Sequence, residues 1–198
     1  YKRMKSIIFR LKDDEPNAFR VSLPYGTRLS YLEALFTKRY AQLVKLQKVV
    51  KKPPFGEYTY IFGQKVALSE LKRHYHMAKT PSSIEEFYKL TKGVLHEYLL
   101  RKVRYFEAKM AIPKPYNIRI RQMKTRWGSN SKKTMTLSLN AMLIHFHPQI
   151  IDALIVHELA HYYIGGHGPK FYAYLETIIP NYKYYDKLLK EHHYECNY

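Results

Sequence analysis

Residues 148–161 read Pro148-Gln149-Ile150-Ile151-Asp152-Ala153-Leu154-Ile155-Val156-His157-Glu158-Leu159-Ala160-His161, and Tyr162-Tyr163-Ile164-Gly165-Gly166 leads on to His167. Pro148 suits the first position of a helix, where its missing N–H costs nothing, so a helix is expected from there to about Tyr163. His157 and His161 are four residues apart. They therefore stand one turn above each other on one face, where two imidazoles can meet one ion. Glu158 adjoins the first imidazole and can reach a water on that ion without ligating it. Gly165-Gly166 is expected to end the helix and, through positive φ, to swing the chain back under the ion. That return brings in His167 as a third nitrogen donor. Zinc in a catalytic site takes three protein ligands and keeps a fourth position for water or substrate. Three imidazoles favour zinc over magnesium or calcium, which prefer oxygen.

These residues imply a Zn²⁺-dependent hydrolase with metal ligands His157, His161 and His167 and with Glu158 as the catalytic residue. Glu176, on a following helix, is the alternative third ligand, the position from which related zinc hydrolases supply a glutamate. A purely structural reading would leave two histidines on a half-buried helix and Glu158 in solvent. The apolar helix, the glycine break and the close third histidine together favour the metal. The remaining histidines converge on nothing. His145 and His147 are expected in a loop or cap before the helix, and His74, His76, His96, His192 and His193 in surface or packing roles.

Outward from this segment, Lys170 to Ile178 and Tyr184 to His193 read as two further helices. Upstream, Asn117 to Gln122 and Thr134 to Leu139 alternate as strands joined by the connector Thr125 to Ser131, and the second strand is expected at a sheet edge. A long helix follows Pro81, with Ser82 and Ser83 as candidate N-caps, each with a glutamate three residues on, and it runs to about Met110. Tyr58 to Phe62 and Lys65 to Leu68 flank Gly63-Gln64 as a short hairpin. Leu29, Leu32, Leu35, Phe36, Leu43 and Leu46 recur at helical spacing to about Val50, stopped by Lys51-Lys52-Pro53-Pro54. Lys5 to Lys12 and Ala18 to Leu23 form an antiparallel hairpin across Asp13 to Asn17.

With 198 residues, 46% of them hydrophobic, the chain can bury a full core, and disorder is excluded over most of its length. No apolar run is long enough to span a membrane. The basic start, Tyr1-Lys2-Arg3-Met4-Lys5, is not followed by an apolar core and does not read as a signal peptide. Cys196 is the only cysteine, so no internal disulfide forms and a cytoplasmic location is expected. The net charge of +18 would suit a nucleotide or DNA. Its lysines are spread from Lys2 to Lys190 beside twenty tyrosines, however, a composition that AT-rich coding also produces.

Three segments resemble the YgjP-like metallopeptidase family, which is related to the SprT-like and minimal gluzincin-type zinc proteases. They are Lys124-Thr125-Arg126-Trp127-Gly128-Ser129, then Leu139-Asn140 with Ile151 to Val156 leading into His157 to His161, and His167-Gly168-Pro169-Lys170-Phe171-Tyr172. The hairpin ending at Pro24-Tyr25-Gly26-Thr27 has a counterpart as well. The resemblance implies a zincin-type core and assigns His157, His161 and His167 as ligands and Glu158 as catalytic residue. Two positions depart from the family. Asn130 stands where a cysteine is usual, and Tyr172 where a tryptophan is usual. Trp127 reads as a packing anchor or a site residue, and Arg126 as a possible oxyanion or phosphate contact.

The expectation is an α+β fold, with a helix-rich zincin-like domain over residues 81–198 behind a small antiparallel β unit with one helix over residues 1–80. Its function is zinc-dependent hydrolysis of a peptide or protein substrate. The rivals are a nucleotide phosphohydrolase of pyrophosphatase type, and a DNA-associated SprT-like protease or nucleic-acid-binding protein.

Overall fold

Eight of the eleven residues from Ile150 to Ala160 are apolar, and a helix so largely apolar must be surrounded by protein. In the computed structural model, which describes residues 7–11, 19–46, 53, 55–75 and 77–196, that segment is the central helix of an α+β fold. Ile150, Ile151, Ile155, Val156, Leu159 and Ala160 have no exposed surface.

The chain divides into two compact units, residues 1–51 and 52–198. In the first, β1 (Ile8–Leu11) pairs antiparallel with β2 (Phe19–Ser22), and α1 (Leu29–Leu46) follows. The turn expected over Asp13 to Asn17 and the helix end expected near Val50 lie outside the described residues.

The second unit begins with the hairpin β3 (Tyr58–Ile61) and β4 (Gln64–Ala67). The sequence reading assigned it, with the short α2 (Leu71–His74), to the N-terminal extension ending at residue 80. Thr59, Ile61 and Leu71 are instead almost wholly buried in the second unit. The hairpin turn is Phe62-Gly63, one residue earlier than expected, with φ of 49° and 79°. Two left-handed residues match the twist of a tight hairpin, and glycine takes the second at no steric cost. The turn's N–H groups donate to Ile144 O (2.7 Å) and His145 O (3.2 Å), which ties the hairpin to the segment before the central helix.

α3 (Ile84–Lys109) starts at one of the two expected caps. Ser83 Oγ accepts from the Glu86 N–H at 3.2 Å, and the Glu86 carboxylate reaches back to the Ser82 N–H at 2.7 Å. Its buried stripe of Phe87, Thr91, Leu95, Leu99, Val103 and Phe106 recurs at helical spacing. The sheet holds β5 (Asn117–Arg121), β6 (Gly128–Ser131) and β7 (Thr136–Asn140) in the order β5-β7-β6, with β5 parallel and β6 antiparallel to β7. Two expectations need correction. β7 is the central strand and not an edge, and part of the presumed connector is itself the edge strand β6. Gly-Ser-Asn-Ser has no apolar alternation, so periodicity does not reveal it.

A 3-10 turn at Ala141–His145 leads to α4 (Pro148–Ala160), then α5 (Pro169–Ile178) and α6 (Tyr182–Lys190). Pro148 is in the first helical turn and His147 is the N-cap, accepting from the Gln149 N–H at 3.4 Å. His145 is fully buried. Its Nδ1 lies 2.9 Å from Tyr60 O, which can only accept, so Nδ1 carries the proton and Nε2 accepts from the Tyr88 hydroxyl at 3.1 Å.

Burial lowers the His145 pKa to about 4, so the folded chain keeps the ring neutral while the unfolded chain protonates it below its ordinary value of 6.5. Stability from this group is complete above pH 6.5 and is lost as pH falls toward 4, by up to about 1.4 kcal/mol per pH unit. The urea midpoint should drop between pH 7 and pH 5, and His145→Gln should flatten that drop. An unchanged pH slope in the variant would contradict this assignment.

Candidate metal centre

α4 ends sooner than its sequence suggests. His161 is the C-cap, and the last turn tightens through Tyr162 N–H to Leu159 O (2.9 Å) and Tyr163 N–H to Ala160 O (3.0 Å). Gly165 and Gly166 have no positive φ, contrary to expectation. The chain is turned by the tightened end of α4 and by the His161 side chain, whose Nδ1 lies 3.0 Å from Ile164 O. Gly168 then caps α5, with Pro169 in its first turn.

These ends bring the three expected histidines together. His167 Nε2 lies 3.1 Å from His157 Nε2 and 3.1 Å from His161 Nε2, and the three donor atoms all lie within 4.8 Å of one another. Three nitrogens held ~2.0–2.1 Å from one ion in tetrahedral directions stand about 3.3 Å apart, so the set fits a small cation. The outward nitrogens fit too. Ile164 O only accepts, so His161 carries its proton on Nδ1 and presents a lone pair at Nε2. Burial, reinforced by the neighbouring His161 and His167, lowers His157 to about pH 4 and leaves its ring neutral at pH 7. Beneath them lies Phe171, fully buried, stacked on His161 at 4.8 Å and edge-on to His167 at 5.0 Å. Glu176, the alternative third donor, pairs instead with Lys183 at 3.1 Å and is absent from the cluster.

Glu158 is 6% exposed, and its carboxyl has no hydrogen-bond partner among the described residues. A buried carboxyl without partners resists ionisation. Desolvation raises its pKa to about 7, opposed by the positive charge of Arg126. The slot that holds it is made by β6. A Cβ at Gly128 would stand 2.7 Å from Glu158 Oε1 and 2.9 Å from its Cγ, so only glycine leaves the space. Asn130, two residues on, donates to the Glu158 backbone carbonyl at 2.5 Å and to the Tyr116 hydroxyl at 3.1 Å.

Asn140 fixes the entry to that strand. Its amide donates to Met123 O (2.8 Å) and Arg126 O (2.9 Å), while its own N–H donates to Trp127 O (2.9 Å). Trp127 packs edge-on against Phe146 and His192, both at 5.0 Å, which supports the anchor reading. Trp127, Gly128, Ala153, Leu154 and Leu189 line a cavity of about 180 Å³ that also reaches His157 and Glu158. Gly128, Asn130, Asn140 and Phe171 were not singled out by spacing. Gly128, Asn140 and Phe171 stand in the segments that resemble the family, and Asn130 directly follows one of them.

Gly128→Ala should expel the Glu158 carboxyl toward water. Its titration midpoint, followed by carboxyl ¹³C shifts in the metal-free protein, should fall from about 7 toward the ordinary 4.5. Overpacking should cost about 1–3 kcal/mol of stability. An unmoved midpoint would show that the slot does not hold the carboxyl.

Among solved structures, the metallopeptidase zymogen jannalysin of Methanocaldococcus jannaschii is 30% identical over 46% of this chain and 85% of its own, with a TM-score of 0.41. The metallopeptidase zymogen abylysin of Pyrococcus abyssi is 19% identical over 50% of this chain and 99% of its own, with a TM-score of 0.43. Nothing among curated proteins matches. The family described as YgjP-like, metallopeptidase domain, matches residues 5–192, nearly the whole sequence, and the chain therefore belongs to the YgjP-like metallopeptidases.

Proposed function

We propose that the chain hydrolyses peptide bonds with zinc held by His157, His161 and His167 and with Glu158 as general base and acid. The observation that carries this reading is the juxtaposition of three converging imidazoles with the buried Glu158 side chain, which neighbours His157 on α4. Zinc, when bound, supplies a Lewis acid that polarises the scissile carbonyl and makes water more acidic. Glu158 takes a proton from the attacking water on a carboxylate oxygen and passes it to the departing amine nitrogen as the C–N bond breaks. A pKa held near 7 by burial suits a group that must both take and give that proton.

The substrate would lie along β6, the open edge of the sheet. Trp127 O bonds Asn140 N–H, so by antiparallel alternation Ser129 and Ser131 also face β7. The main-chain groups of Gly128 and Asn130 are then turned outward, ready for an extended peptide. The cavity beside Glu158, walled by Trp127, Ala153, Leu154 and Leu189 and also by Tyr182, Asp186 and Lys190, has room for one side chain. A nucleotide reading draws on Arg119, Arg121, Lys124 and Arg126, which are exposed along β5 and the loop after it. The family favours peptides.

Purified protein should hold about one zinc per chain. Glu158→Gln should keep the metal while turnover of an unfolded polypeptide falls by orders of magnitude. His167→Ala should lose zinc in a chelator competition far more readily than Glu176→Ala. Zinc-dependent phosphate release from nucleoside triphosphates, lost in Glu158→Gln and without peptide cleavage, would move the protein to the nucleotide class.

A further inference from the structure

His157 is backed by a chain of side chains that the proposed reaction does not use. Its Nδ1 lies 2.7 Å from the Tyr182 hydroxyl. Burial and then Asp186, through its charge and a side-chain hydrogen bond, raise the pKa of that hydroxyl, and Asp186 is paired with Lys190 at 2.5 Å. All of these except His157 come from α6, with Tyr182 and Asp186 one turn apart on the same face. Tyr182 is 2% exposed and its ring lies nearly parallel to the imidazole, so the contact is fixed by packing.

The direction of these bonds follows from proton counting. A carboxylate paired with lysine is ionised and can only accept. The single Tyr182 proton therefore goes to Asp186, and the Tyr182 oxygen must accept from His157. His157 consequently carries its proton on Nδ1, and Nε2 faces His167 with a bare lone pair. Among the three imidazoles, His161 meets a backbone carbonyl and His157 alone meets a side-chain relay.

We infer that Tyr182 and Asp186 form a positioning relay that fixes the tautomer and orientation of His157 and so sets the metal affinity of the site. This rests on the reading of His157 as a ligand. Such outer partners change metal affinity by about 10–100-fold when removed, because the ligand then loses orientation and basicity. Asp186 acts on His157 through Tyr182 and, by its charge, directly as well. Removing both side chains should therefore cost less than the sum of the two single losses.

Two measurements test the relay, on the full chain. Ring-¹⁵N NMR of the metal-free protein should show His157 protonated at Nδ1 and bare at Nε2, and Tyr182→Phe should relax that preference. Zinc competition against a chelator should show affinity about 10–100-fold weaker in Tyr182→Phe and weaker in Asp186→Ala, with a loss in the double variant smaller than the sum of the two. Asp186→Asn, which can still accept from the hydroxyl, should recover most of the affinity lost in Asp186→Ala. Far-UV circular dichroism and urea midpoints identify any variant that fails to fold, and Asp186→Asn, less buried than Tyr182, keeps the test open in that case. An Nε2-protonated His157, or additive losses in the double variant, would overturn the relay. So would zinc affinity in Tyr182→Phe equal to that of the parent chain, and that result would leave the ligand reading intact. A parent chain that retains no zinc would overturn the ligand reading, and the relay's purpose with it.

Discussion

The fit of the Glu158 carboxyl against the bare backbone of Gly128 joins the central helix to the sheet edge, and the rest of the site is arranged around it. A largely apolar helix gains most by being enclosed, yet α4 carries Asp152, His157 and Glu158 into that enclosure. Asp152 is satisfied by the Tyr98 hydroxyl at 3.0 Å and Lys102 at 2.7 Å, near the start of the helix. Glu158 receives no such partner among the described residues, and its burial is accommodated by the absence of a side chain at Gly128. The fold thus accepts a desolvation penalty at one carboxyl and keeps its proton affinity near neutrality.

The imidazoles follow a complementary rule. Each needs a lone pair turned toward its neighbours, so its other nitrogen must be a donor to something fixed. For His161 the acceptor is Ile164 O, supplied by the chain as it leaves the tightened end of α4. For His157 it is a hydroxyl on α6, a separate element 25 residues along. Phe171, on α5, fills the space beneath all three rings. Three helices therefore meet at one point. Close packing lets each limit the rotamers of the others.

How much of this was legible in the sequence depended on the kind of signal each residue carries. Pro148 made α4 readable and the entry after Pro81 made α3 readable, with the capping glutamates locating the start of α3 to within one residue. The histidine spacing led directly to the cluster, because three imidazoles so close in the chain can hardly avoid one another once α4 forms. Contacts made across the fold left no such mark. Asn140 reaches back 14 residues to hold Arg126 O, and Tyr182 begins a helix that the sequence reading started only at Tyr184. The expected hinge at Gly165-Gly166 failed for a related reason. Glycine permits a left-handed turn but does not impose one, and the carbonyl at Ile164 already held the bend.

Asn130 shows how a departure from the family pattern can be read physically. The Glu158 carbonyl lies in the last turn of α4, where the helix offers it no N–H, because Tyr162 donates to Leu159 instead. A buried carbonyl left unpaired is costly, and so is a buried tyrosine hydroxyl. An amide group has two N–H donors and can serve both the Glu158 carbonyl and the Tyr116 hydroxyl, as Asn130 does. A cysteine at this position would offer a single weak donor and leave one of the two groups to find another partner. With asparagine there, the backbone of the residue bearing the buried carboxyl is tied to the strand whose glycine receives that carboxyl. Helix end and sheet edge are then held together from both sides of Glu158.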